Sequence, residues 1–109
     1  MRRATDFSAV VRSGTRARRG HVVVHHSPSL GSADPDAALV GFVVGKPVGG
    51  SVVRHRVTRR LRAQVAGRLD RLPAGSGTVV RALPGAGDAT SAQLGDDLDA
   101  AFDRLVVLR

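Results

Sequence analysis

The chain has 109 residues, 42 % of them hydrophobic, which is enough for one modest globular domain spanning residues 1–109 and excludes a disordered tail. Seventeen basic residues against nine acidic leave a formal charge of +8, the footprint of a protein that meets a polyanion. The absence of cysteine excludes disulfides and thiolate metal sites. No apolar run reaches membrane-spanning length and no signal-like segment opens the chain, so the expectation is a cytoplasmic protein with no membrane partner.

Residues 1–20 carry Arg2, Arg3, Arg12, Arg16, Arg18 and Arg19 against one acid, Asp6. Thr5 or Asp6 can cap a short helix and Gly14 can end it. Phe7, Val10 and Val11 share one side of that helix. Phe7 reads either as core or as an aromatic that stacks on an unpaired base. His21–His26 is rich in β-branched residues and predicts a strand. His21 and His25 would share a face, but no third ligand is near, so a metal site is not expected. Close to a polyanion, these histidines would gain charge below about pH 6.5. Residues 27–36 read as a loop. Ala37–Val44 predicts a second, central strand with Phe42 beside Val40 and Val44.

Gly45–Ser51 then turns into a helix. Its lysine, Lys46, precedes most of the glycines, which does not match a nucleotide-binding loop. Within the helix, Val53, Val57, Leu61, Val65 and Leu69 fall on one side at 100° per residue, and the charged residues fall on the broad opposite side. His55, Arg56, Arg59, Arg60 and Arg62 form a cationic face with no interleaved acid. Like charges three and four apart repel, so a polyanion partner explains the pattern better than solubility does.

Thr78–Leu83 predicts a third strand and Pro84–Ala89 a loop. Thr90 and Gln93 fit a capping box. In the helix that follows, Leu94, Leu98, Ala101, Phe102 and Leu105 form the apolar side, and Asp96, Asp97, Asp99 and Asp103 read as a solvated acidic face, or less favourably as a cation site. The expected class is α+β, a single-domain sandwich in the order α-β-β-α-β-α with the helices on one face of the sheet.

Lys46, Val48-Gly49, Val52-Val53-Arg54-His55-Arg56, Arg59 and Arg62 resemble the signature of the bacterial ribonuclease P protein subunit. Asp6-Phe7-Ser8-Ala9-Val10 followed by Gly14-Thr15-Arg16 extends the resemblance to the opening segment. The resemblance implies a left-handed βαβ crossover around the arginine helix. It implies an RNA partner that is itself the catalyst, a protein without catalytic residues of its own, removal of the 5′ leader of precursor tRNA, and Mg2+ bound mainly by that RNA. DNA is not an expected partner. Lys46, Arg54, Arg56, Arg59 and Arg62 match the family's RNA-binding positions, and His55, Arg60, Arg2, Arg3, Arg12 and Arg16 add to that basic surface. Phe7 matches a leader-contacting aromatic. Four positions depart from the pattern: His55 stands for an asparagine, Pro47 and Thr58 for lysines, and Val11 for a second aromatic. The competing expectations are a small basic RNA-binding or ribosome-associated protein with no role in tRNA cleavage, and a nuclease built on Asp96–Asp103.

Overall fold

The period-2 alternation of four short strands decides which side chains meet the helices and which are left on the opposite surface. The computed structural model describes residues 14–27 and 39–105. The helix expected before Gly14, with Arg2, Arg3, Phe7, Val11 and Arg12, lies outside the described residues. The strands are β1 (Thr15–Arg19), β2 (Val22–Ser27), β3 (Leu39–Val43) and β4 (Gly77–Ala82). They form one sheet in the order β1-β2-β4-β3, antiparallel except for the parallel pair β3–β4. The basic helix (Ser51–Ala66) joins that parallel pair, and the acidic helix (Ser91–Leu105) follows β4.

The expected succession from the first histidine-rich strand onward holds, with one addition before it and one correction. Among the described strands β3, expected to be central, lies at an edge of the sheet and pairs with β4 alone, so the apolar run Leu39–Val43 reflects packing against the core and not a place between two strands. Strand β1 is not evident in the sequence because Ala17 is its one buried residue, set among arginines. It lies at the sheet edge, where charged residues are tolerated and protective. Arg19 pairs with Val22, so Gly20 and His21 form a two-residue turn. Gly20 has φ +53°, the left-handed value that glycine adopts without steric cost at the head of such hairpin turns.

Ala17, Val22, Val24, Val80 and Ala82 point from the sheet into the core. They meet Val57, Leu61 and Val65 of the basic helix and Leu94, Leu98, Ala101 and Phe102 of the acidic helix, all buried. Val53 is only partly buried, and the helix ends at Ala66, so Leu69 leaves the expected apolar line and is 50 % exposed. The capping box is present in full: the Thr90 N–H donates to Gln93 Oε1 at 2.9 Å, and the Gln93 N–H donates to Thr90 Oγ1 at 3.1 Å.

The histidines depart from expectation. The His21 backbone N–H donates to Asp97 Oδ2 at 2.9 Å, and its Nδ1 lies 2.8 Å from the same oxygen, so His21 ties the hairpin turn to the acidic helix. His25 and His26 are buried, and His26 Nδ1 lies 3.0 Å from Thr78 Oγ1. Burial pushes both imidazoles below their ordinary value, with Arg81 and Arg16 adding repulsion at His25. They therefore resist the charge expected of them in acid. The folded state binds fewer protons here than the unfolded chain, so stability is full above about pH 6.5 and falls as pH drops through the lowered folded value. We expect the thermal midpoint to decline over the interval below about pH 6.5. A His26→Asn variant should show a smaller decline over that interval in melts followed by circular dichroism.

Candidate nucleic-acid interface

The turn before the basic helix is shaped by close approach. Lys46–Val48 makes one 3-10 turn with Val48 buried and Lys46 exposed. Gly49 follows with φ +152°, where an added Cβ would stand 2.9 Å from the Val53 side chain. Gly50 is an extended N-cap, and the helix begins with neither a side-chain cap nor an acid in its first turn. Nothing anionic therefore offsets the positive end of the helix dipole.

Once Val57, Leu61 and Val65 are turned inward, the arginines divide by direction. Arg54, His55, Thr58, Arg59 and Arg62 face a cleft whose other walls include Val44 and Ser51. The cleft measures about 600 Å³ and has no carboxylate in its lining. Next to it, the Arg62 guanidinium carbon lies 6.0 Å from the centre of the Phe42 ring, a cation–π contact. Arg56 and Arg60 turn the other way. Arg56 donates to the Gly87 carbonyl at 3.1 Å and Arg60 to the Ala89 carbonyl at 2.7 Å, so both hold the 3-10 loop Pro84–Asp88 against the helix. The repulsion expected between these cations is relieved by backbone oxygens, not by acids.

Arg68 and Arg71, just past the helix, engage the acidic helix. Arg68 makes a two-pronged ion pair with Asp99 at 2.6 and 3.0 Å. That pair holds the Asp99 carboxyl below its usual range and raises Arg68. Arg71 reaches Asp103 at 2.7 Å and lies 5.7 Å over the Phe102 ring. Asp97, Asp99 and Asp103 thus have His21, Arg68 and Arg71 as partners, while Asp96 and Asp103 stay exposed, so the expected acidic face is solvated and paired at once. Among the described residues no group of three or more His, Cys, Asp or Glu is placed to hold a metal ion. No helix among them is long and apolar enough to cross a membrane.

A second basic strip lies on the sheet face turned away from the two described helices. Arg16, Arg18 and Arg81 are exposed there around the buried His25, in register across β1, β2 and β4. Arg16 is among the expected site residues; Arg18 and Arg81 are not. The available signals are the Arg-Ala-Arg alternation about Ala17 and the single charge in Thr78–Leu83. Phe42 and Val44 read in sequence only as core. Of the expected site residues, the structure brings Arg54, His55, Arg59 and Arg62 together, gives Arg56 and Arg60 loop contacts, and leaves Lys46 on the preceding turn. Arg2, Arg3, Phe7 and Arg12 fall outside the described residues.

Comparison with known proteins follows the same lines. The family model Ribonuclease P matches residues 1–106. The ribonuclease P protein component of Streptomyces bikiniensis is 55 % identical over 114 residues, covering 97 % of this chain and 90 % of the relative. That of Mycobacterium sp. (strain KMS) is 49 % identical over 104 residues, covering 95 % and 86 %. The fold is shared with the Staphylococcus aureus RNase P protein, at TM-score 0.82, 21 % identity and coverage of 95 % and 92 %. It is also shared with the Thermotoga maritima RNase P protein, at TM-score 0.80, 19 % identity and coverage of 98 % and 97 %. With nearly the whole chain matched by the family model and by relatives of about half identical sequence, the chain belongs to the ribonuclease P protein family.

Proposed function

We propose that the chain works as the protein component of ribonuclease P, a single RNA-binding domain over residues 1–109. It binds the catalytic RNA through the basic helix and assists removal of the 5′ leader from precursor tRNA in the cytoplasm. The observation that carries this reading is the carboxylate-free cleft beside Arg54, His55, Arg59 and Arg62. Guanidinium groups suit phosphate oxygens and the faces of bases. Lys46 extends this surface along the chain, and Arg56 and Arg60 fix the adjoining loop while adding their charge. The strip of Arg16, Arg18 and Arg81 suits a second strand of RNA, the precursor leader; by the family's pattern Phe7 also contacts the leader, and Arg2, Arg3 and Arg12 bind RNA.

The physical role follows from charge. The catalytic RNA and its substrate repel each other, and either high salt or bound Mg2+ must screen them. A subunit of charge +8 with basic surfaces on both sides of its sheet lowers that demand. Mg2+ would be held mainly by RNA phosphates, since Asp97, Asp99 and Asp103 are committed to His21, Arg68 and Arg71.

The test is cleavage of precursor tRNA at low magnesium by a ribonuclease P RNA of a related bacterium, with and without the protein. Strong stimulation at the correct 5′ site is expected. RNA binding without stimulation would support a ribosome-associated role instead, and cleavage by the protein alone would support a nuclease.

A further inference from the structure

We propose that the cleft between the basic helix and the end of β3 seats one unpaired nucleotide of the RNA partner, with its base against Val44 and its phosphate among the arginines. This rests on the RNA-binding reading above. A surface that only follows a phosphate backbone needs no concavity, because cations on a convex helix reach phosphates freely. Here the cations rim a cleft of about 600 Å³. That volume lies within the range of about 300–1,000 Å³ that holds small ligands, and it is too small to admit an RNA double helix.

The walls differ in chemistry as a nucleotide does. Val44 offers an apolar side, and Phe42 carries Arg62 over its ring nearby. Arg54 and Arg59 supply donors for a phosphate, and Arg54 Nε is buried without a partner of its own. Thr58 adds the base-reading element. Its hydroxyl donates to the Arg54 carbonyl at 2.9 Å, so both of its lone pairs can accept from a base edge. Guanidinium donors beside an apolar wall suit a ligand that brings both an acceptor and a flat face.

The probes are adenosine 5′-monophosphate, adenosine and inorganic phosphate, each titrated into the isotope-labelled full chain and followed by amide chemical shifts. The monophosphate is expected to shift Val44, Thr58 and Arg62 saturably, and phosphate alone to leave Val44 unmoved. Identical responses to the monophosphate and to phosphate, both sparing Val44, would overturn the proposal. The second arm is Thr58→Trp, which fills the cleft without altering charge. Its affinity for the partner RNA should fall about tenfold, the scale of one stacking contact, with the salt dependence unchanged. Unaltered affinity would overturn the proposal. If that variant fails to fold, the titration of the unmodified chain decides alone. Precursor cleavage by the unmodified protein in the same preparation separates the two readings: stimulation without a nucleotide response refutes only the cleft, whereas no affinity for the ribonuclease P RNA refutes the reading beneath it.

Discussion

Replacing Arg54, Arg59 and Arg62 together with alanine is expected to abolish tight RNA binding at physiological salt and to flatten its salt dependence by about two to three units, about one for each phosphate left without its arginine. The three side chains face the cleft and make no carboxylate ion pair, so the melting curve should change little. The matching control is Arg56→Ala with Arg60→Ala. Those side chains hold the Gly87 and Ala89 carbonyls, so their loss should cost about 1 kcal/mol each in stability, given their partial exposure. It should change the salt slope less than the triple variant does. Filter-binding isotherms at several salt concentrations, set beside thermal melts, separate the two sets. An unchanged slope in the triple variant would remove the cleft face from the interface.

Phe102→Ala is expected to be the most damaging single change to the fold. The ring is fully buried where the acidic helix meets the sheet, and Arg71 lies over it while reaching Asp103. Truncating a buried phenylalanine costs about 3–5 kcal/mol, a large share of the roughly 5–15 kcal/mol that a domain possesses. In a chain of this size that corresponds to a fall in melting temperature of about 15 °C or more. The urea midpoint should drop with little change in slope. RNA affinity measured well below the new melting temperature should be nearly unaffected, because the cleft contains no atom of Phe102.

Much of this is legible in the sequence. The Val57-Leu61-Val65 spacing marks the inward face of the basic helix, and Thr90 with Gln93 marks the start of the acidic one, because both signals are local and periodic. What stays hidden depends on contacts between distant residues. Nothing near Arg56 or Arg60 indicates that carbonyls 31 and 29 residues later receive them. The acids of the last helix give no local sign that Arg68, Arg71 and His21 will be brought beside them. Strand β1 escapes because an edge strand with arginines on its exposed positions lacks the apolar alternation that betrays a strand. His25 and His26 look like surface switches, and only tertiary burial, on opposite faces of the sheet, lowers their tendency to charge.

The strand order has a consequence for the sequence of events during synthesis. β4 lies between β2 and β3 and, among the described strands, alone pairs with both. Until it leaves the ribosome, the β1–β2 hairpin and the β3–helix unit have no sheet in common. The loop held by Arg56 and Arg60 and the carboxylate that holds Arg68 emerge later still. A nascent chain would therefore carry its arginines early, on a helix with no fixed orientation. The RNA-binding surface is set only when the last third of the polypeptide has docked, so a translation product cut short before the acidic helix would be cationic yet unable to present an ordered face to its RNA.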